Sequence, residues 1–247
     1  MGAIKTEAII LKKINYRETS VLLDLFTLKV GKIRGILKGV RDEKSKIPPI
    51  SLSPGAHILT FIYPKHHLNL TLTTSPSILN YFEISKKENL KVWYLILNLV
   101  NMFTPEKEKS DEIFKLLLQT GNFLTLNSLS TIIFVGFKIK FIKILGYGIE
   151  LNKCISCREE DTVYFFSGKL GGIICRKCKE KDLNSSKISN IIVSIMRYLE
   201  KIPFEKLTVV KKIPKAILKK INFYLNLTLY YHTDSKVIWW ENEKNLF

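Results

Sequence analysis

Cys154-Ile155-Ser156-Cys157 and Cys175-Arg176-Lys177-Cys178 hold every cysteine of the chain, in two Cys-x-x-Cys pairs separated by seventeen residues. A two-residue gap lets both thiolates of a pair turn onto one cation, and two such pairs supply the closed tetrahedral sulfur shell that structural zinc prefers. The spacing predicts one Zn2+ held by Cys154, Cys157, Cys175 and Cys178. Such a site staples the fold and does not catalyse.

Three other uses of cysteine compete with this reading. Two disulfides call for export, and the start, Met1-Gly2-Ala3-Ile4-Lys5-Thr6-Glu7, shows no apolar signal region with a small-residue cleavage site. Unpaired core cysteines rarely fall into two matched pairs by chance. A thioredoxin-type redox site uses one pair in a βαβ setting and leaves the other unexplained. Catalytic zinc needs an open ligand position, and neither His-x-Glu nor His-Glu-x-x-His occurs.

The 247 residues, 46% of them hydrophobic, suffice for one or two domains with ordinary packed cores. The longest nearly apolar run, Val92 to Phe103, is interrupted by Asn98 and Asn101 and is shorter than the ~20 residues of a membrane helix. The expectation is a soluble, cytoplasmic protein. A formal charge of +17 points to a polyanion such as nucleic acid or to an acidic protein partner. Most of the cations are lysines in a chain also rich in Ile and Asn, a bias that an AT-rich genome produces unaided. The placement of the charges has to decide.

From Thr6 to Thr74 the pattern is short and β-like, with predicted strands over Glu7–Ile14, Ser20–Thr27, Lys32–Val40, His57–Tyr63 and Leu68–Thr74. Lys29-Val30-Gly31-Lys32 reads as a tight turn between the second and third. In the fifth, Leu68, Leu70 and Leu72 alternate with Asn69, Thr71 and Thr73, which predicts one buried face. Five strands in this length match an OB-fold barrel, whose outer face and loops commonly hold single-stranded nucleic acid. After Ser75-Pro76-Ser77 the period turns helical over Glu88–Phe103, Asp111–Leu124 and Leu129–Leu145. Leu145-Gly146-Tyr147-Gly148 reads as a glycine C-cap before the first cysteine pair. Ser186–Lys201 and Pro214–Tyr231 read as two further helices, and His66-His67 as a loop between strands. The expected fold is α+β, with an OB-fold barrel in residues 1–80. A helical domain in residues 81–247 would carry a four-cysteine zinc ribbon at about 150–182.

Alternation along the third predicted strand puts Lys32, Arg34, Ile36 and Lys38 on one face and Ile33, Gly35 and Leu37 on the other. Arg41, Lys44 and Lys46 follow, so Lys32 to Lys46 carries six cations against Asp42 and Glu43. A groove that tracks a phosphate backbone needs such a cluster, because each neutralised phosphate releases counterions. A solvated outer strand face is the alternative. For base stacking, Tyr16 and Tyr63 at strand ends are open candidates, whereas Phe26 and Phe61 sit in apolar runs. Lys153, Arg158, Arg176, Lys177 and Lys179 crowd the cysteines, and balancing the charge of a four-thiolate metal site is favoured for them over a second DNA contact. Lys206, Lys211, Lys212, Lys215, Lys219 and Lys220 surround the start of the last helix, either to receive an acidic peptide or as a solvated face.

The order of motifs resembles the RecO family of recombination mediators. The resemblance is carried by Glu7-Ala8-Ile9-Ile10-Leu11-Lys12, Leu25-Phe26-Thr27 before Gly31-Lys32-Ile33-Arg34, and Lys38-Gly39-Val40-Arg41 with Lys44-Ser45. It continues with Leu145-Gly146-Tyr147 ahead of Cys154 and Gly171-Gly172-Ile173-Ile174 ahead of Cys175. It implies an OB-fold, a helical domain and an embedded zinc ribbon. It also implies DNA repair and recombination, by binding single- and double-stranded DNA and annealing complementary strands. The implied partners are RecR, in loading RecA, and the acidic tail of the single-stranded-DNA-binding protein. By matching positions, Lys32, Arg34, Lys38, Arg41, Lys44 and Lys46 become the DNA-contact candidates. The chain departs from the family pattern at Asp42-Glu43, where a strongly basic loop is expected, and at Ile47-Pro48-Pro49-Ile50, where a glycine is expected.

No Walker motif, paired-carboxylate metal motif or Ser-His-Asp constellation is legible, and the reading is a non-enzymatic mediator. Two rivals stand beside it: an RNA-binding or translation-associated zinc-ribbon protein, and a nuclease whose carboxylates assemble only in three dimensions.

Overall fold

The structure, a computed structural model, describes residues 2–63, 71–126, 130–209 and 213–232 together with Glu243 and Leu246. His66-His67, the Leu68, Asn69 and Leu70 part of the predicted alternation, and Lys211 and Lys212 lie outside the described residues. The chain forms two compact units, Met1–Leu126 and Asn127–Phe247.

Five strands open the first unit: β1 (Ile4–Tyr16), β2 (Ser20–Thr27), β3 (Gly31–Leu37), β4 (His57–Tyr63) and β5 (Thr71–Asn80). They pair in the closed order β1-β2-β3-β5-β4, the OB topology. The β3–β5 seam is parallel and only two residue pairs long, Gly35 with Thr71 and Ile36 with Leu72, so the barrel is barely shut on that side. β1 serves two neighbours, pairing through Ile4–Ile9 with β4 and through Ala8–Tyr16 with β2, and a bulge at Leu11 bends it between the two tasks. Alternation sends Val21, Leu23, Leu25, Ile33, Leu37, Ile58 and Ile62 into one apolar core. Gly31 takes φ +76 in the β2–β3 turn, and a β-carbon there would fall 2.0 Å from the Glu108 carbonyl oxygen.

Two strand ends differ from the sequence expectation. β3 stops at Leu37, since the chain turns through Gly39 at φ +70. β5 runs on through Ser75-Pro76-Ser77 to Asn80. Leu59 pairs with Ser77 and Phe61 with Thr74, so β5 carries one extra residue there. Pro76, which has no N–H to give to a ladder, is accommodated at this bulge.

The unit is completed by α1 (Lys87–Phe103) and α2 (Asp111–Leu126). Val92, Trp93, Ile96, Leu97, Val100 and Phe103 form the buried stripe of α1. Asn89 donates from Nδ2 to the Leu124 carbonyl at 2.7 Å and ties the start of α1 to the end of α2. Ser110 caps α2, its Oγ accepting from the Ile113 N–H at 3.2 Å.

In the second unit α3 (Ser130–Ile144) is apolar around its whole circumference and buried throughout most of its length. It ends in a Schellman motif, with Tyr147 N–H donating to the Ile142 carbonyl and Gly146 N–H to that of Lys143, each at 3.0 Å. The ribbon follows: β6 (Tyr164–Ser167), β7 (Gly172–Cys175) and β8 (Ser186–Ile188), in the order β7-β6-β8. α4 (Asn190–Lys201) and α5 (Lys215–His232) close the unit around α3. The expected helix over 186–201 is thus a strand and a shorter helix, because Ser189 caps α4 and the preceding residues pair with β6. Among the described residues no helix is long and apolar enough to cross a membrane.

Candidate metal centre and nucleic-acid interface

The four cysteines converge. All their sulfurs lie within 4.8 Å of one another. Cys157 Sγ and Cys175 Sγ are 3.7 Å apart, far beyond the ~2.05 Å of a disulfide. Sulfurs bound tetrahedrally at ~2.3 Å from one ion sit about 3.8 Å from each other, so the spacing fits a zinc-sized cation. Backbone geometry builds both knuckles. Arg158, at φ +64, donates its N–H to the Cys154 carbonyl at 2.8 Å and closes the first turn. Cys175 ends β7, and a short 3-10 helix over Arg176–Lys181 turns Cys178 back toward it.

The Gly171-Gly172 pair ahead of Cys175 has a steric reason. Ile173 N–H donates to the Glu150 carbonyl at 2.9 Å and Glu150 N–H to the Gly171 carbonyl at 3.0 Å, so the incoming chain lies directly on β7. A β-carbon on Gly172 would stand 2.5 Å from Glu150 O. This contact registers the first knuckle against the second.

Cys154 is fully buried, and Cys175 and Cys178 nearly so; Cys157 is the outermost. Burial pushes the Cys154 thiol up, but N–H donation from Cys157, Cys175 and Ser156 outweighs it and brings the thiol down to about 6. Cys178 is pushed up to about 12 by burial and by the three neighbouring cysteines. Four thiolates in so small a volume repel one another, and a cation is what allows all four to be charged together. Ile155, Phe165, Leu170 and Ile174 pack against the cluster, while Cys157 faces outward. Of the surrounding cations, Lys179 lies 4.8 Å over the Phe165 ring, while Arg158 and Lys177 reach Glu150 and Glu159 at 3.4 and 3.8 Å.

The six basic DNA-contact candidates separate into two sets. Alternation in β3 holds, with Ile33, Gly35 and Leu37 buried and Lys32, Arg34 and Ile36 turned outward. Yet Lys32 donates from Nζ to the Asn101 carbonyl at 2.7 Å, capping an otherwise open carbonyl in the last turn of α1. Burial lowers the Lys32 ammonium, opposed by Glu106 and Asp24. Arg34 grips Asp24 on β2 with both nitrogens, Nε to Oδ1 at 2.6 Å and Nη2 to Oδ2 at 3.0 Å. Asp24 is 4% exposed and also accepts from Asn101 Nδ2 at 3.1 Å. Burial by itself would raise its carboxyl, but the bonds from Arg34 and Asn101 hold it below the usual carboxylate range.

Lys38, Arg41, Lys44 and Lys46 are all exposed on the loop after β3. Asp42 braces this loop, its Oδ1 taking the Lys44 N–H at 2.9 Å and its carbonyl the Ser45 N–H at 3.0 Å. Arg41 ties the loop to the β1–β2 turn: its N–H donates to the Thr19 carbonyl at 2.9 Å and its Nη1 to the Arg17 carbonyl at 3.0 Å. Arg17, exposed in that turn, therefore joins the basic set.

Sequence reasoning missed Asp24, whose signal was a lone acid inside the apolar run Val21–Phe26. It also missed Lys138, fully buried in α3. Lys138 Nζ donates to Asn222 Oδ1 at 2.9 Å, to Asn226 Oδ1 and to Glu243 Oε1 at 3.0 Å. Asn222 and Asn226 donate in turn to Glu243 Oε2 at 2.6 and 3.1 Å. The signal was the first of three lysines, Lys138, Lys140 and Lys143, in a helix whose other residues are almost all apolar, and its partners lie more than eighty residues away.

Together these features define a two-unit protein that joins an OB-type barrel with basic loops to a helical unit carrying a ribbon whose four clustered cysteines are placed to hold a metal ion. Residues 1–82 match the family model for the N terminus of recombination protein O, and residues 88–236 the model for its C terminus. The chain belongs to the RecO family of DNA repair proteins. It is 30% identical over 198 residues to the DNA repair protein RecO of Alkaliphilus metalliredigens, covering 79% of this chain and 80% of that one. It is 29% identical to that of Caldicellulosiruptor bescii, with 82% and 84% covered, and 25% identical to that of Halalkalibacterium halodurans, with 88% and 86% covered. The family models divide at residues 82–88, whereas packing keeps α1 and α2 with the barrel.

Proposed function

We propose that this protein is a recombination mediator that binds single- and double-stranded DNA, anneals complementary strands and, with RecR, helps load RecA onto strands covered by single-stranded-DNA-binding protein. The observation that carries the reading is the exposed set Lys38, Arg41, Lys44 and Lys46 on a barrel loop, in a chain of a DNA repair family. Phosphate neutralisation by such a set gives affinity without sequence preference, which is what annealing of arbitrary strands requires. Lys32 and Arg34 contribute mainly by bracing the barrel face from which the loop springs. The mediator is non-enzymatic and works in the cytoplasm, since annealing needs charge neutralisation and strand proximity but no nucleophile. Residues 1–80 carry the nucleic-acid function, and residues 81–247 carry the ribbon and the protein partners.

Zn2+ is the metal we assign to the cysteine cluster, one ion per chain, on the strength of four sulfur donors at tetrahedral spacing. Its role is to hold the two knuckles together. For the acidic tail of the single-stranded-DNA-binding protein we assign the open groove of about 800 Å³ among β8, α4 and α5. Lys187, Lys219 and Lys220 offer charge there, and Phe223, 52% exposed, offers an apolar face. An annealing assay on complementary strands, with and without that protein, tests the activity and the partner together. The expected result is faster annealing in both cases; no acceleration in either sinks the reading.

A further inference from the structure

The turn joining β1 to β2 holds Arg17 at φ +51, a left-handed value uncommon for a residue with a β-carbon. Arg41 donates to the Arg17 and Thr19 carbonyls on either side of Glu18 and ties this turn to the loop after β3. In this turn the Arg17 guanidinium lies over the Tyr16 ring, 5.3 Å from the centroid. Tyr16 is half-buried and so fixed in place, while the cation covering it is exposed. Strand register shows what lies beside the ring. Tyr16 pairs with Ser20, and the next row on the same outer face is Ile14, Leu22 and Ile36, of which Ile14 is 36% exposed. Lys38 follows directly on the Val21–Leu37 pair, and Arg41 sits behind the turn. An aromatic ring, an adjoining apolar strip and flanking cations are the parts from which a single-strand groove is made.

We propose that Tyr16 is a stacking platform for a nucleobase of single-stranded DNA, and that Arg17 is its placeholder, leaving the ring for the neighbouring phosphate when the base arrives. The inference rests on the proposed DNA-binding function and gives that function its base-contacting residue. An exposed cation–π contact is weaker than base stacking on the same ring, and the freed guanidinium gains a phosphate, so the exchange runs toward the bound state. Every base has a π-face, and the platform is therefore indifferent to sequence. Arg41 keeps its backbone partners throughout and holds the turn open.

The test compares binding of the full chain to a thymidine oligomer and to an abasic oligomer of the same length, by fluorescence anisotropy across a salt series. Wild type should bind the thymidine oligomer more tightly. Y16A should lose about tenfold on it and nothing on the abasic backbone, and Y16F should behave as wild type. Y16L, which keeps apolar bulk at the strand end, should reproduce Y16A while melting like wild type. R17A should lower the salt slope on the thymidine oligomer by about one. Equal wild-type affinity for the two oligomers, or equal losses on both in Y16A and Y16L, would overturn the platform and leave phosphate binding standing. Binding to neither oligomer would overturn the platform and the DNA-binding function together.

Discussion

The Arg34 guanidinium holds the Asp24 carboxylate through two parallel hydrogen bonds, 2.6 and 3.0 Å long, across neighbouring positions of β3 and β2. Bidentate pairs of this kind are the strong ones, and here the acid is buried and bound a second time by Asn101. The pair neutralises the middle of the barrel face. The cationic surface consequently shifts toward the loop after β3 and the β1–β2 turn.

Asp24→Asn should destabilise the first unit by about 2 kcal/mol near neutral pH, the scale of hydrogen bonds to a charged group. The folded-state carboxyl is held below its ordinary value, so its contribution is present above the unfolded value of 3.8 and is lost as pH falls through the folded one. Wild-type chemical denaturation should therefore weaken more steeply below about pH 4 than that of Asp24→Asn. Parallel pH profiles for the two proteins would contradict this.

Metal analysis in reducing buffer should find one zinc per chain. Cys154→Ser or Cys178→Ser, or strong chelation, should cost several kcal/mol and lower the melting temperature by on the order of 10 °C, because metal binding is folding free energy. Gly172→Ala should show a weaker version of the same loss, since its β-carbon would press on Glu150 O. A metal-free protein with unchanged melting would return the cysteines to an ordinary core.

The Lys138–Glu243 pair joins the middle of α3 to a residue far along the chain, with Asn222 and Asn226 of α5 completing the bonds. Lys138→Met should cost about 3–5 kcal/mol, because it leaves a buried carboxylate unpaired, and the double change with Glu243→Gln should cost less than the sum. Burial lowers the Lys138 ammonium from 10.5 to about 8 against the pull of Glu243. Between these values the unfolded chain binds more protons than the folded one, so this residue makes stability rise with pH there. Lys138→Met should abolish that rise in denaturant titrations from pH 8 to 10.5.

Charge reversal at Lys219 and Lys220 should weaken binding of a fluorescent acidic tail peptide at least tenfold and leave DNA affinity within about twofold. Loss of DNA binding alone would move that surface to the nucleic acid.

Much of this was legible in the sequence because the signals were local. Ser20–Thr27 and His57–Tyr63 are strands with the expected bounds, the Gly31 turn and Gly146 cap hold, and two short cysteine spacings foretold the sulfur cluster. What escaped depends on contacts distant in sequence. Alternation placed Lys32 and Arg34 outward correctly, but nothing near them reveals that Asn101 and Asp24 wait there as partners. Pro76 read as a strand breaker because a bulge that tolerates proline is made by the opposing strand. Lys138 gives no local sign of its burial, because the groups that bind it, on Asn222, Asn226 and Glu243, come from far along the chain.

The most direct test is the salt dependence of single-stranded DNA affinity in one triple and one double variant. Reversal of Lys38, Arg41 and Lys44 should cut affinity sharply and reduce the slope of log K against log salt by about two, since each lost phosphate contact removes ~0.7. Lys32→Met with Arg34→Met should lower the melting temperature yet keep most of that slope. A wild-type slope in the loop variant, or a full loss in the strand variant alone, would contradict a DNA interface centred on the loop.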